Sequence, residues 1–167
     1  MTATTAISVE KIKAILHEVM DPEVPVLSVI DLGIIRDIII HDNETEIIIT
    51  PTYSGCPAMD VISMNIRMTL LSHGFNSIKI TTILSPAWTT DWMSEEGKQK
   101  LKEYGIAPPN PKQQVCHTDL FTRDEAIQCP HCNSYHTHRV SEFGSTACKA
   151  LYQCDDCKEP FDYFKCH

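Results

Sequence analysis

Cys129-Pro130-His131-Cys132 and Cys154-Asp155-Asp156-Cys157 are two C-x2-C pairs with twenty-one residues between them. Each pair bends the backbone into a tight turn that aims two thiolates at one point. Two such turns supply the four soft ligands of a tetrahedral metal site. Asn133 follows the first pair, where such a turn wants a left-handed residue, and Asn tolerates that conformation. So short a region has little room for a core of its own, and metal binding worth roughly 10–16 kcal/mol can replace one. The spacing predicts a ribbon organised by structural zinc on Cys129, Cys132, Cys154 and Cys157. Iron or an iron–sulfur centre accepts the same thiolates, so that rival stays open.

The chain has 167 residues, 43 % of them hydrophobic, which allows one globular domain and a small satellite. Four of its eight cysteines belong to the metal spacing. The first residues, MTATTAISVEKIKAIL, carry neither a basic leader nor a long apolar run. No apolar run approaches the roughly 20 residues that span a bilayer. These features lead to the expectation of a reducing cytoplasm with free or metal-bound thiols and no membrane partner. The formal net charge is −8, and residues 129–167 hold four Lys/Arg against five Asp/Glu. Nucleic-acid binding needs a basic patch, so the ribbon is expected to meet protein instead.

Ile12, Ile15, Leu16 and Val19 recur at helical spacing, which predicts a helix over 8–20 with Ser8 as N-cap. Asp21-Pro22 stops it, because the residue before proline avoids helical space. IIRDIII over 34–40 and EIIIT over 46–50 flank a polar turn and predict an antiparallel hairpin. Gly55 permits a tight turn, and a second helix is expected over 58–72, with Met59, Val61, Ile62, Ile66 and Leu70 inward. Met64 and Met68 read as core filling. A strand over 76–83 and a helix from Asp91 or Ser94 to Tyr104, ended by Gly105, come next. APPNP, residues 107–111, makes a stiff spacer. Beyond it, strands are expected near 113–116, in HTHRVSEFG, over 147–153 and at 161–164. The fold class is α+β: a small α-β-β-α-β domain followed by a β-rich ribbon.

Several side chains admit both a structural and a chemical reading. Cys56 stands at the N-terminus of the second helix, where the macrodipole and unpaired N–H groups favour a thiolate. It is a candidate reactive or metal-binding thiol, or else a small buried residue at a cap. Cys148 lies outside both knuckles and is either a buried small residue or a second reactive thiol. Asp21, Glu23 and Asp31 serve as turn and cap acids or as a functional surface. Trp88 and Trp92 pack on a sheet edge or form a partner-binding patch. Cys116-His117 and Cys166-His167 are weaker candidates for auxiliary ligands. The sequence shows no paired carboxylate–histidine helices for a di-iron site, no G-x-S-x-G elbow and no Gly-rich phosphate loop. It therefore predicts no turnover of its own.

DPEVPVLSVIDLGIIRD, PTYSGCPAMDVI and LSPAWTTDWMSEEGKQKL, in that order, resemble the SufT-like domain of the iron–sulfur cluster assembly family. The added CPHC…FGSTACKALYQCDDCKEPFDYFKC is similar to the PaaD-type family of the phenylacetate degradation system. The resemblance implies an assembly-type domain over 1–106, a Pro-rich linker over 107–112 and a four-cysteine zinc ribbon over 113–167. It places the chain in aromatic degradation, as an accessory protein of the multicomponent oxygenase that epoxidises the ring of phenylacetyl-CoA. Such a protein would mature an iron–sulfur partner, for example the reductase subunit that feeds the oxygenase electrons. A structural or adaptor subunit without cluster chemistry is the alternative, and an electron carrier with iron on the four ribbon cysteines a third.

Residue by residue, Cys56 matches the motif cysteine of the assembly domain, Asp21 and Glu23 its leading acidic turn, and Asp31 its D-L-G segment. Cys129, Cys132, Cys154 and Cys157 match the ribbon ligands. The chain departs from the family at Ser85-Pro86-Ala87-Trp88, where SufT-like proteins carry an acid-Pro-Pro-Trp run. The resemblance favours a functional Cys56 that holds a transient iron–sulfur cluster. One thiolate cannot hold a cluster alone, so a homodimer or a second thiol such as Cys148 would complete the site.

Overall fold

Helix α1 spans Val9–Leu16 in the computed structural model, which describes residues 8–42, 44–109 and 127–165. Ser8 caps it by accepting the Lys11 N–H at 3.2 Å, and Ile12, Ile15 and Leu16 turn inward. Strands β1 (Ile35–Ile40) and β2 (Thr45–Ile49) pair antiparallel, with a register shift between Ile35 and Asp37. Helix α2 (Ala58–Ser72) then carries the chain to β3 (Ile78–Thr82), which pairs parallel to β2. The sheet order is β1-β2-β3. Ile38, Ile47 and Ile49 of the sheet, Ile62, Ile66 and Leu70 of α2, and Ile12 and Leu16 of α1 are all buried. Each such side chain contributes about 1.5–3 kcal/mol of burial. The expected α-β-β-α-β order is present.

The inward face of α2 differs from the expectation. Ala58, Ile62, Ile66 and Leu70 are buried, whereas Val61, Met64 and Met68 are exposed. The buried residues repeat every four positions along one edge of the helix, and Val61, Met64 and Met68 lie on the other side. Gly55 does not adopt a left-handed backbone; Gly33, Gly74 and Gly105 do.

The chain divides into two compact units, Met1–Trp88 and Thr89–His167. In the second, a single 3-10 turn (Thr90–Trp92) leads to helix α3 (Glu95–Glu103), capped by Ser94 Oγ on the Gly97 N–H at 2.9 Å. Gly105, at φ +88, ends it. Strand β4 (Ile106–Ala107) follows at once and pairs parallel with β7 (Pro160–Phe164). Strands β5 (Thr137–Ser141) and β6 (Lys149–Cys154) complete a sheet of order β4-β7-β6-β5. The sequence predicts β5, β6 and β7 but reads Ala107 as the start of a spacer. A two-residue strand is too short to show alternation, and only its partner β7 reveals it. Helix α3 and β4 thus fall in the second compact unit, together with the strands of the ribbon.

The ribbon core joins Ala107, Ile127, Cys129, Ala150, Tyr152, Cys154, Phe161 and Tyr163. Tyr152 stacks on Phe161 at 5.9 Å and meets Tyr163 edge-on at 5.7 Å. The strand expected near 113–116, and Cys116, His117, Cys166 and His167, lie outside the described residues. Among the described residues, no helix is long and apolar enough to cross a membrane.

Candidate metal centre and thiol site

The two knuckles repeat one backbone design. Asn133 N–H donates to Cys129 O at 2.9 Å and Lys158 N–H to Cys154 O at 3.0 Å. Cys129 N–H donates to Ser134 O at 2.8 Å and Cys154 N–H to Glu159 O at 3.0 Å. Asn133 and Lys158 adopt positive φ of 62° and 67°, so both turns reverse through a left-handed residue. The sequence signals the first through Asn. The second hides behind a lysine, although Lys158 stands at the same offset from its pair.

These turns gather four sulfurs. Cys129 and Cys157 lie 3.7 Å apart, Cys132 and Cys154 3.6 Å, and all four ligand atoms fall within 4.8 Å of one another. A thiolate tetrahedron with metal–sulfur bonds of about 2.3 Å has edges of about 3.8 Å. The four cysteines therefore fit a tetrahedral metal ion. Backbone N–H groups of Cys157 and Asp156 draw Cys154 down to about 7. Cys157 is pushed up to about 12, because burial and the neighbouring thiols outweigh the favourable Glu159 N–H. Cys132 is raised too, its Ser134 N–H outweighed by burial and the Cys154 thiol.

A polar shell ties the knuckles together. Ser134 Oγ donates to Asp156, and His136 Nδ1 lies 3.2 Å from the same carboxylate. Ser134 and His136 together hold the Asp156 carboxyl below its usual range. His138 Nδ1 meets Asp155 at 3.0 Å. Sequence reasoning missed this shell, because its members are about twenty residues apart.

In the first unit Cys56 sits half-buried just before α2. Its backbone N–H donates to Tyr53 O at 3.2 Å, which closes the loop after β2. The Ala58 N–H and the Thr52 side chain hydrogen-bond its sulfur and lower its pKa. Burial raises it more, and the charges of Glu23 and Asp21 raise it further, so the thiol ends above its ordinary value. The Ala58 N–H at the helix start pulls toward the thiolate as expected, and burial with the two acids outweighs it. Thr52, four residues before Cys56, is a partner that sequence reading missed. A Cβ placed on neighbouring Gly55 would meet nothing within 4 Å, so the loop is open to an incoming surface.

The motif acids divide. Asp21 Oδ1 accepts the N–H groups of Glu23 and Val24, each at 2.7 Å, and the charges of Glu23 and Asp21 both act on Cys56. Asp31 is buried and accepts both the Ser28 N–H at 3.1 Å and the Ser28 hydroxyl at 2.8 Å. It is a turn-capping acid. Trp88, a partner-binding candidate in the sequence, is only 3 % exposed. Its indole N–H is held by Leu32, so it packs inside the first unit. Trp92 is half-buried in the second. Cys148 is buried there, 3.0 Å from Thr146 Oγ1.

Residues 9–80 match the model of the iron–sulfur cluster assembly protein family, and residues 113–165 that of the PaaD zinc beta ribbon domain. The chain is 48 % identical over 158 residues to an Escherichia coli protein assigned as one of the subunits of 1,2-phenylacetyl-CoA epoxidase. That alignment covers 95 % of this chain and 93 % of the relative. The chain belongs to the PaaD family. Within this PaaD-family chain the first domain is also similar to an Fe-S protein maturation auxiliary factor of Porphyromonas gingivalis. The identity is 38 % over 55 % of this chain and 89 % of that one. A crystal structure of a domain of unknown function from Bacillus anthracis superposes with a TM-score of 0.52 at 28 % identity. It covers 55 % of this chain and 89 % of that one. The chain thus joins an assembly-type domain to a ribbon, and its likeness to an epoxidase subunit and to maturation factors supports an accessory role.

Proposed function

We propose that the chain is a maturation factor for an iron–sulfur partner of the phenylacetyl-CoA epoxidase system, with that system's reductase subunit as the client. The observation that supports the reading most is the grouping of Cys56 with Glu23 and Asp21 in the domain shared with maturation factors. A thiol beside two acids carries little negative charge of its own while empty. An incoming iron ion or cluster, the cargo, reverses the balance by favouring the thiolate and welcoming both carboxylates. The open Gly55 side lets a client cysteine approach and take the cargo. Zinc on Cys129, Cys132, Cys154 and Cys157 holds the ribbon together, and Cys148 serves its core. The protein works in the cytoplasm and catalyses no turnover of its own.

The test is the cluster content of the reductase subunit from cells carrying Cys56→Ala. The reading expects a folded reductase poor in iron and sulfide; a fully loaded one sinks it. The adaptor reading expects stoichiometric co-purification with the hydroxylase and indifference to Cys56.

A further inference from the structure

Helix α2 offers the core only one face. On its other side Val61, Met64, Met68 and Leu71 are 41 %, 59 %, 63 % and 45 % exposed. Their spacings of three, four and three residues are those of the a and d positions of a heptad seam. One flank of this seam is neutral, with Asn65 and Ser72. The other carries Asp60 and Arg67, the only charged residues of α2. They stand two turns apart, about 10 Å along the axis, too far to pair with each other. Among the described residues neither makes an ion pair.

We propose that this seam is a dimer interface, in which α2 packs antiparallel on α2 of a second copy of the chain. The charges select both partner and direction. A parallel pair would set the charged flank of one helix against the neutral flank of the other. An antiparallel pair sets the two charged flanks side by side. With Val61 of each copy against Met64 of the other, Asp60 of each meets Arg67 of the other, twice by symmetry. Sliding one heptad to overlap all four apolar residues would bring the two Arg67 side chains together instead. The charges therefore select the register in which Val61 and Met64 form the shared apolar contact, while Met68 and Leu71 lie beyond the start of the partner's helix. A contact only a few turns long belongs to the small, reversible class of interfaces, so the dimer depends on concentration. Each Cys56 lies beyond the start of its own helix, so the two thiols sit at opposite ends of the antiparallel pair. The dimer thus keeps the two Cys56 thiols apart rather than joining them in one shared site. This inference stands independently of the maturation reading.

Sedimentation equilibrium of the full metal-loaded chain tests it. The wild type should pass reversibly from monomer to dimer as concentration rises, and Met64→Glu should stay monomeric. Asp60→Arg and Arg67→Asp should each raise the dimer dissociation constant roughly ten-fold, two exposed attractions having become repulsions. The double variant Asp60→Arg/Arg67→Asp should restore it. Far-UV circular dichroism checks that each variant is folded. A wild type monomeric at every concentration overturns the proposal. So does a dimer indifferent to Met64→Glu, a double variant that fails to recover, or a seam that binds another protein while the chain stays monomeric.

Discussion

The sulfurs of Cys132 and Cys154 stand 3.6 Å apart, although the residues are 22 positions apart in the chain. Two turns of the same design place them there, and the distance is that of neighbouring ligands in a thiolate tetrahedron. One zinc per chain is the expected content by elemental analysis, and Cys154→Ser should lose both the metal and the ribbon's protection from proteolysis. Protons compete for these sulfurs, so zinc affinity should fall as pH drops from about 8 to about 6. Chelator competition at the two pH values checks this. Equal affinities, or iron in place of zinc, would contradict the assignment.

Glu23 should add to the effect of burial in raising the Cys56 thiol. Its charge raises the thiol, so Glu23→Gln should lower the midpoint of Cys56 alkylation and speed the reaction near neutral pH. Peptide-resolved iodoacetamide kinetics against pH reads this for Cys56 alone. The sign also governs stability: a thiol with a raised folded-state pKa favours the native state below the ordinary thiol range. That contribution is lost as pH climbs through the raised value, and Glu23→Gln should shrink it. An unchanged alkylation midpoint would remove Glu23 from the site.

Trp88 should behave as a core residue. Trp88→Phe keeps the ring but strands the Leu32 carbonyl, which should cost about 1–2 kcal/mol. Trp88→Ala should cost about 3–5 kcal/mol. Urea unfolding measures both. A Trp88→Phe variant with wild-type stability and a lost partner would return Trp88 to the surface role.

Asp162 answers a buried cation. Lys149 is 4 % exposed, its Nζ lies 3.8 Å from Asp162 Oδ2, and Ser145 Oγ donates to the same oxygen at 2.8 Å. Asp162→Ala should cost about 3 kcal/mol, the low end for breaking a buried pair, because the Asp162 side chain stays 21 % exposed. Lys149→Met should recover part of the loss. Gly144→Ala should strain the same spot, since its Cβ would press on the Asp162 carboxylate. Thermal unfolding of these variants, single and combined, tests the set.

Ser8, Ser94, Asn133 and the C-x2-C pairs act within a few residues of themselves, and each does in the structure what its local chemistry implies. The helices, the hairpin and the thiolate basket were legible for that reason. Caps, turns and knuckles are short-range devices, and two identical knuckles need little more than closeness to complete a site. Tertiary structure decided what depends on approach from afar. Burial of Cys56, with the charges of Glu23 and Asp21 more than thirty residues away, outweighs the acidity its helix end implies. Ile106 and Ala107 become a strand because β7 runs beside them. Val61, Met64 and Met68 stay outside because the sheet covers only one side of α2. Charge acting across such separations, and the choice of which apolar face the sheet covers, leave no mark of their own on the chain, so only the fold reveals them.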